Sequence, residues 1–323
     1  MVRNVVAYCS DGKRKTEITL EQISDVLAVD DASFVWVGLY EPDEPLLLKM
    51  QEEFCLHPLA VEDALKAHQR PKIELYGDSL FMVLHTAQVV SGHIEFGETH
   101  IFIGPRYLLT VRHGASLTFS PARERCEKSP NLMKLGPSYG LYAVLDAVVD
   151  NYFPIVNEFQ EELNELEKDI FAEDYRRETV RRLYELKRDL TQLRLAASPM
   201  QDMLNQLMQF HPTLIRKEVR VYLRDVHDHV VRVNEAVDTM REMLTAAMSV
   251  NLSLVTVAQG EIVKRLAGWA SLLAAPTLLT SWYGMNFHHM PELDEPYGYW
   301  AMIAITLGIC VVLYFALRRA KWL

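Results

Sequence analysis

Two stretches of this 323-residue chain, 266–287 and 297–317, contain no Asp, Glu, Lys or Arg at all. Buried helices of soluble proteins rarely run so far without a charge, whereas about 20 apolar residues cross a bilayer core about 30 Å thick. The two uncharged stretches are therefore expected to span a membrane. Between them, 287–296 has no Lys or Arg but carries Glu292, Asp294 and Glu295, while Lys264 and Arg265 precede the first stretch and Arg318, Arg319 and Lys321 follow the second. Lys and Arg mark the cytoplasmic side. The short loop is thus expected outside and both termini inside, a multi-pass arrangement in a plasma membrane, which for a bacterium is the inner one. Trp269, Trp282, Tyr283, Tyr297, Tyr299, Trp300 and Trp322 stand near the span ends, where amphipathic rings anchor at the headgroups.

Other absences narrow the function. The first 29 residues lack a basic start followed by an apolar core, so a cleavable signal is not expected. The four cysteines, Cys9, Cys55, Cys126 and Cys310, include no CxxC pair and one lies within the second span, which argues against a disulfide framework and fits a reducing compartment. No Gly-rich phosphate loop follows an apolar β-rich run, and neither GxSxG nor HExxH occurs, leaving nucleotide binding and enzymatic activity without a motif. The net charge of −10 disfavours nucleic acid and suits cations.

The portion before the spans has its own organisation. Runs at 33–40, 79–85, 99–104 and 107–112 are β-rich and bounded by Gly, Pro, Asp or Asn, with helical runs at 47–55 and 58–67 between them, so the first third reads as an α/β layer. From 141 to about 209 the pattern is helical, and an acidic arm (Glu158, Glu161, Glu162, Glu165, Glu167, Asp169, Glu173, Asp174) precedes a basic one (Arg176, Arg177, Arg181, Arg182, Lys187, Arg188). An antiparallel helical hairpin would lay one against the other, either as a solvated helix pair or as an acidic collar that attracts cations. No proline occurs between Pro212 and Pro276, and Leu214, Val219, Leu223, Val226, Val230, Val233, Ala236, Met240 and Met243 recur at helical spacing. One helix of some 70 residues would reach about 105 Å, too long for a compact monomer, and implies a stalk packed against other helices. Two spans cannot enclose an aqueous pore, so a channel built from this chain must be a homo-oligomer.

The expected fold is an α+β cytoplasmic domain joined by a long stalk helix to two C-terminal transmembrane helices. Its parts are an α/β domain at 1–137, a helical hairpin at 138–211, a stalk at 212–264 and a transmembrane domain at 265–323. The spans fall at about 266–286 and 297–317, with the outer loop at 287–296.

On the first span, Leu266, Ala270, Leu273, Thr277, Ser281 and Gly284 share one helix face, small or weakly polar toward its outer end. Spacing alone leaves a pore lining and a close helix contact equally open. The span closes on Tyr283, Gly284, Met285, Asn286 and Phe287, followed by Met290, Pro291, Glu292 and Leu293: YGMNF, then MPEL. In that place the sequence resembles the CorA family of magnesium and cobalt transport proteins, and the likeness extends to segments at 61–74, 145–150 and 222–229, nearly the whole chain.

The resemblance implies a funnel-shaped homopentamer in the lipid bilayer, conducting Mg²⁺ and related divalent ions such as Co²⁺ or Ni²⁺, driven by the membrane potential. Gly284, Met285 and Asn286 would form the outer mouth, Thr277 a site within the pore and Leu266 a hydrophobic constriction at its inner end. It further implies a regulatory Mg²⁺ shared by Asp63 and Asp225 of neighbouring subunits, with Glu62 and Asp146 near a second site. Hard carboxylate oxygens suit that ion. Where the family often has an acid just after GMNF, this chain has His288 and His289, and imidazole favours Zn²⁺, Co²⁺ or Ni²⁺. Two alternatives stay open: a zinc transporter of the ZntB type, although that branch usually carries Gly-Ile-Asn, and a membrane sensor that conducts nothing.

Overall fold

The computed structural model describes all residues except 29–31, 91–92, 116–117, 172–176, 211–213, 286–289 and 291–295, and the chain divides into two compact units, Met1–Thr245 and Ala246–Leu323. The first unit is built on a seven-stranded sheet. Its strands are β1 (Val2–Cys9), β2 (Arg14–Glu17), β3 (Ala32–Tyr40), β4 (Lys72–Tyr76), β5 (Ser79–Val90), β6 (His93–Gly104) and β7 (Tyr107–Gly114), in the order β2-β1-β3-β7-β6-β5-β4. Neighbours are antiparallel except β3 and β7, which pair in parallel from Val35↔Tyr107 to Tyr40↔Arg112.

Helices α1 (Ile23–Ala28), α2 (Glu44–Phe54) and α3 (Pro58–Lys66) cover one face of this sheet. Val35, Val37 and Leu39 alternate along β3 toward Leu47, Met50, Ala60 and Ala64, all buried. Local chemistry sets the helix limits. The Asp43 carboxylate accepts the Leu46 N–H at 3.3 Å to start α2, and Cys55, at φ 52°, stops it. His57 Nδ1 accepts the Leu59 N–H at 3.3 Å ahead of Pro58, which opens α3. Ala67 and His68, at φ 40° and 60°, end α3 and turn the chain toward β4.

The other face carries α6 (Pro137–Asp150), α7 (Tyr152–Phe171) and α8 (Arg177–Phe210), reached through the short α4 (Ser120–Glu127) and α5 (Pro130–Met133). Helix α6 approaches the sheet closely at Gly140, where a Cβ would lie 2.8 Å from Leu108 Cδ2 and 3.5 Å from the Trp36 ring. The Tyr152 hydroxyl donates to the His85 carbonyl at 2.6 Å. Helices α7 and α8 pair through buried Leu163, Leu166, Leu183, Leu186 and Leu190. Arg182 of α8 reaches Glu162, Glu165 and Asp169 of α7 at 3.5, 3.3 and 3.3 Å, so the acidic and basic arms do face each other. Ion pairs this exposed add little, and the leucines hold the hairpin.

Helix α9 (Arg220–Tyr283) begins in the first unit, where Val226, Val230, Val233, Val237, Met240 and Leu244 are buried at helical spacing. The second unit contains the rest of α9 and α10 (Gly298–Arg319), and both helices are long and apolar enough to cross a membrane. A Cβ at Gly268 of α9 would lie 3.0 Å from the Trp322 carbonyl and 3.4 Å from the Leu323 side chain, so glycine lets the C-terminal residues come close.

Candidate ion pathway and cation sites

Along the membrane part of α9, Leu266, Ala270, Leu273, Thr277, Ser281 and Gly284 are all exposed. Gly268 is buried and Leu272, Ala275, Leu279 and Tyr283 are half-buried, so they mark the opposite face. The exposed side forms an open groove lined by Ala270, Leu273, Ala274, Thr277, Leu278, Ser281, Trp282 and Met285. Thr277 Oγ1 donates its proton to the Leu273 carbonyl at 2.8 Å. Its oxygen lone pairs remain available to a water in an ion's hydration shell. One residue earlier, Pro276 cannot supply the N–H that the Leu272 carbonyl would otherwise accept. The helix ends as the Gly284 N–H bonds the Thr280 carbonyl at 2.9 Å and the Met285 N–H bonds that of Trp282 at 3.4 Å. Asn286, His288, His289 and Glu292 lie outside the described residues.

The four acids expected to bind a regulatory cation occupy different surroundings. Asp63 of α3 is half-buried and pairs with Lys72 Nζ at 2.7 Å, and that ammonium also lies 3.0 Å from Glu74 Oε1. Glu62 is exposed and pairs with Lys66 one turn along at 2.5 Å. Asp225 of α9 is exposed and, among the described residues, has no ion pair within the chain. Among the described residues no hydrogen bond or ion pair joins Asp63 to Asp225, and the Asp63 carboxylate is engaged by Lys72 of its own chain. Glu62 and Asp146 are each bound to a different basic residue of the chain.

Asp146 of α6 is buried and meets Arg125 Nη2 at 2.5 Å. Ligand atoms of Asp146, Asp150 and His229 all lie within 4.8 Å of one another, a set that could hold a metal ion. Burial first, then the nearby Asp150 charge, push the Asp146 carboxyl above its ordinary pKa, and Arg125 opposes them. His229 Nδ1 is buried without a hydrogen-bond partner among the described residues, and the imidazole packs edge-on against Phe153 with centroids 5.6 Å apart. Asp150 and His229 were not singled out from the sequence as ligands. The available signal was Asp146 and Asp150 four apart on one helix, with His229 one turn beyond Asp225. Two carboxylates and an imidazole form a mixed oxygen and nitrogen donor set, softer than carboxylates alone.

Comparison with known proteins gives the same picture over the whole chain. The sequence model described as "CorA-like Mg2+ transporter protein" matches residues 31–319. The cobalt/magnesium transport protein CorA of Thermotoga maritima is 32% identical over 314 residues, covering 95% of this chain and 89% of that protein. The complete structure of the CorA magnesium transporter from Methanocaldococcus jannaschii shares the fold, with a TM-score of 0.81 over 100% of both chains at 23% identity. The cytoplasmic domain of ZntB from Vibrio parahaemolyticus is more distant, with a TM-score of 0.58 at 14% identity over 77% of this chain and 95% of that domain. With an α9 that is uncharged from Leu266 onward and closes on Gly284 and Met285, a second apolar helix after it in sequence and a match from residue 31 to 319, the chain belongs to the family of CorA-like Mg²⁺ transporter proteins.

Proposed function

We propose that this chain is the subunit of a divalent-cation channel that admits Mg²⁺, and also Co²⁺ or Ni²⁺, across the plasma membrane. The observation that carries the proposal is the exposed face of α9 from Leu266 to Gly284, small or weakly polar toward its outer end, which leads to the Gly284, Met285 and Asn286 motif. Two apolar helices cannot enclose a water-filled path, so the exposed face calls for copies of the same chain around an axis, and the family resemblance supports five. In this reading 1–264 and the C-terminus are cytoplasmic and 287–296 is outside. A negative-inside potential supplies about 4.6 kcal/mol per 100 mV to a divalent ion. Asn286 would ring the outer mouth with amide oxygens, Thr277 would offer a hydroxyl ring farther in, and Leu266 would narrow the inner end. Mg²⁺ gives up water reluctantly, so neutral oxygens that hydrogen-bond to the hydrated ion can pass it, while a charged ring would hold it too firmly.

Regulation by cytoplasmic Mg²⁺ belongs to the same proposal. Asp63 and Asp225 are reachable from outside their own chain and are not paired with each other, as expected of carboxylates that meet across a subunit boundary. Hard carboxylate oxygens match Mg²⁺. Glu62 and Asp146, the latter joined by Asp150 and His229, would contribute to the second site. Zinc transport receives less support, since the Thermotoga maritima relative is named for cobalt and magnesium and the ZntB likeness is lower and confined to the soluble part. Uptake by proteoliposomes under an imposed potential tests the proposal. Mg²⁺ entry that is blocked by external hexa-ammine cobalt, an inert mimic of a hydrated ion, is expected; Zn²⁺ entry without Mg²⁺, or no entry of either, would overturn it.

A further inference from the structure

The acids proposed to share a regulatory cation differ in one respect: Asp225 has no ion pair within the chain among the described residues, whereas Asp63 already has an ammonium 2.7 Å away. Its owner, Lys72, is the first residue of the edge strand β4, paired with Val83 of β5, so the sheet fixes where its side chain starts. The ammonium touches Glu74 Oε1 at 3.0 Å and lies 5.8 Å from the centroid of the buried Phe81 ring. Tyr76 fixes Glu74 in turn by donating its hydroxyl to Oε2 at 2.9 Å. Partial burial works against the charged amine, but Asp63 and Glu74 outweigh it and hold Lys72 above the ordinary lysine pKa. By contrast, the Lys66–Glu62 pair one turn away joins two exposed, flexible side chains, with 65% and 54% of their surface open to solvent against 29% and 25% for Lys72 and Asp63.

We propose that Lys72 is a tethered competitor for the cation position at Asp63 and sets the Mg²⁺ concentration at which the channel closes. The inference rests on the reading that Asp63 binds the regulatory ion. An arriving cation and the Lys72 ammonium compete for the same carboxylate. When the ion takes Asp63, Lys72 retains Glu74, so the exchange breaks one ion pair, forms one metal–carboxylate contact and strands no charge. Glu74 is therefore part of the balance: its carboxylate draws Lys72 away from Asp63 and favours the metal.

The two residues thus have opposite effects on the Mg²⁺ midpoint. In Lys72→Met the competitor is gone and the midpoint should fall roughly two- to fivefold, the range spanned by partly exposed ion pairs. In Glu74→Gln the ammonium has Asp63 alone and the midpoint should rise. The test is a Mg²⁺ titration of the full-length protein in detergent, read as protection of α3 amides from hydrogen exchange and as thermal midpoint, with Mg²⁺ inhibition of flux measured alongside on the same variants. Should Lys72→Met fail to assemble, Glu74→Gln carries the test by its rise. Unchanged midpoints in both variants, in a protein whose response is removed by Asp63→Asn, would overturn the role of Lys72 alone. A Mg²⁺ response that survives Asp63→Asn would instead overturn the reading of Asp63 beneath it.

Discussion

Arg125 Nη2 on α4 lies 2.5 Å from Asp146 Oδ2 on α6, while Asp150 and His229 bring their own ligand atoms within 4.8 Å of that carboxylate. One guanidinium offsets two acids, and the His229 Nδ1 lone pair or proton has no partner among the described residues. A divalent cation would answer both. Because imidazole favours Co²⁺ over Mg²⁺, His229→Ala is expected to weaken Co²⁺ binding by about tenfold or more and Mg²⁺ binding by less. Parallel titrations of the two ions against the thermal midpoint check this. Equal losses for both would place His229 outside the coordination sphere.

Acid should loosen the first unit through His100. Its ring is fully buried between Phe81, at 5.9 Å, and His113, at 5.2 Å, and burial lowers its pKa despite the bond from Nε2 to Glu98 Oε2 at 3.1 Å. A base depressed in the folded state gives stability that is complete above its unfolded value, about 6.5, and is lost as pH falls below it. Glu98 is held below the usual carboxylate range by its bonds from His100 and the Gln69 N–H, against the effect of its burial, so its contribution fades at lower pH, below about 4.3. The thermal midpoint should therefore drop between pH 7 and 5. His100→Gln, which keeps an N–H for Glu98, should flatten that drop and leave the later one. An unaltered profile in the variant would contradict the assignment.

Gly140 marks a close approach of α6 to the sheet. A valine there would drive its side chain into Leu108 and Trp36, both buried, so that the packed layer has to shift to admit it. Gly140→Val should cost about 1–3 kcal/mol, as overpacked cores do. Denaturant unfolding of the full chain measures it.

Clustered carboxylates repel until a cation neutralises them. Cytoplasmic Mg²⁺ should accordingly favour the closed arrangement, through its greater affinity for that state. The double variant Asp63→Asn with Asp225→Asn is expected to conduct but no longer to be shut by millimolar internal Mg²⁺. Flux or patch recording with internal Mg²⁺ varied decides it, and inhibition with unchanged midpoint and depth would remove these residues from the sensor.

Much of this architecture was legible in the sequence, for reasons particular residues make plain. Strands β3, β5, β6 and β7 are apolar over long runs because both faces of the sheet are covered, as Trp36 on one side and Val35 and Val37 on the other illustrate. The single helix α9 followed from the lack of proline and the spacing of Val226, Val230 and Val233. Strand β1 was not foreseen, since Arg3 and Asn4 interrupt it and only Val6, Ala7 and Tyr8 are buried. Strand β4 was hidden by its charges: it lies at the sheet edge, where Lys72 and Glu74 can remain partly in water. The acids Asp63, Glu62, Asp146 and Asp225 could be named from the resemblance, but their different states could not. The Glu62–Lys66 pair, four apart on the helix expected at 58–67, was open to spacing, but the other states depend on Lys72 and Arg125 and on helix packing that brings His229 to α6, which neither composition nor spacing encodes.

Mg²⁺ uptake by proteoliposomes carrying either the native chain or Asn286→Ala, under the same imposed potential, addresses the central claim most directly. Asn286 is expected to give the outer ring its amide oxygens without forming part of a packed core, so the variant should assemble normally. The native protein should then take up Mg²⁺ and the variant little or none. Full uptake by a correctly assembled Asn286→Ala, or uptake by the native chain no greater than that of empty liposomes, would contradict it.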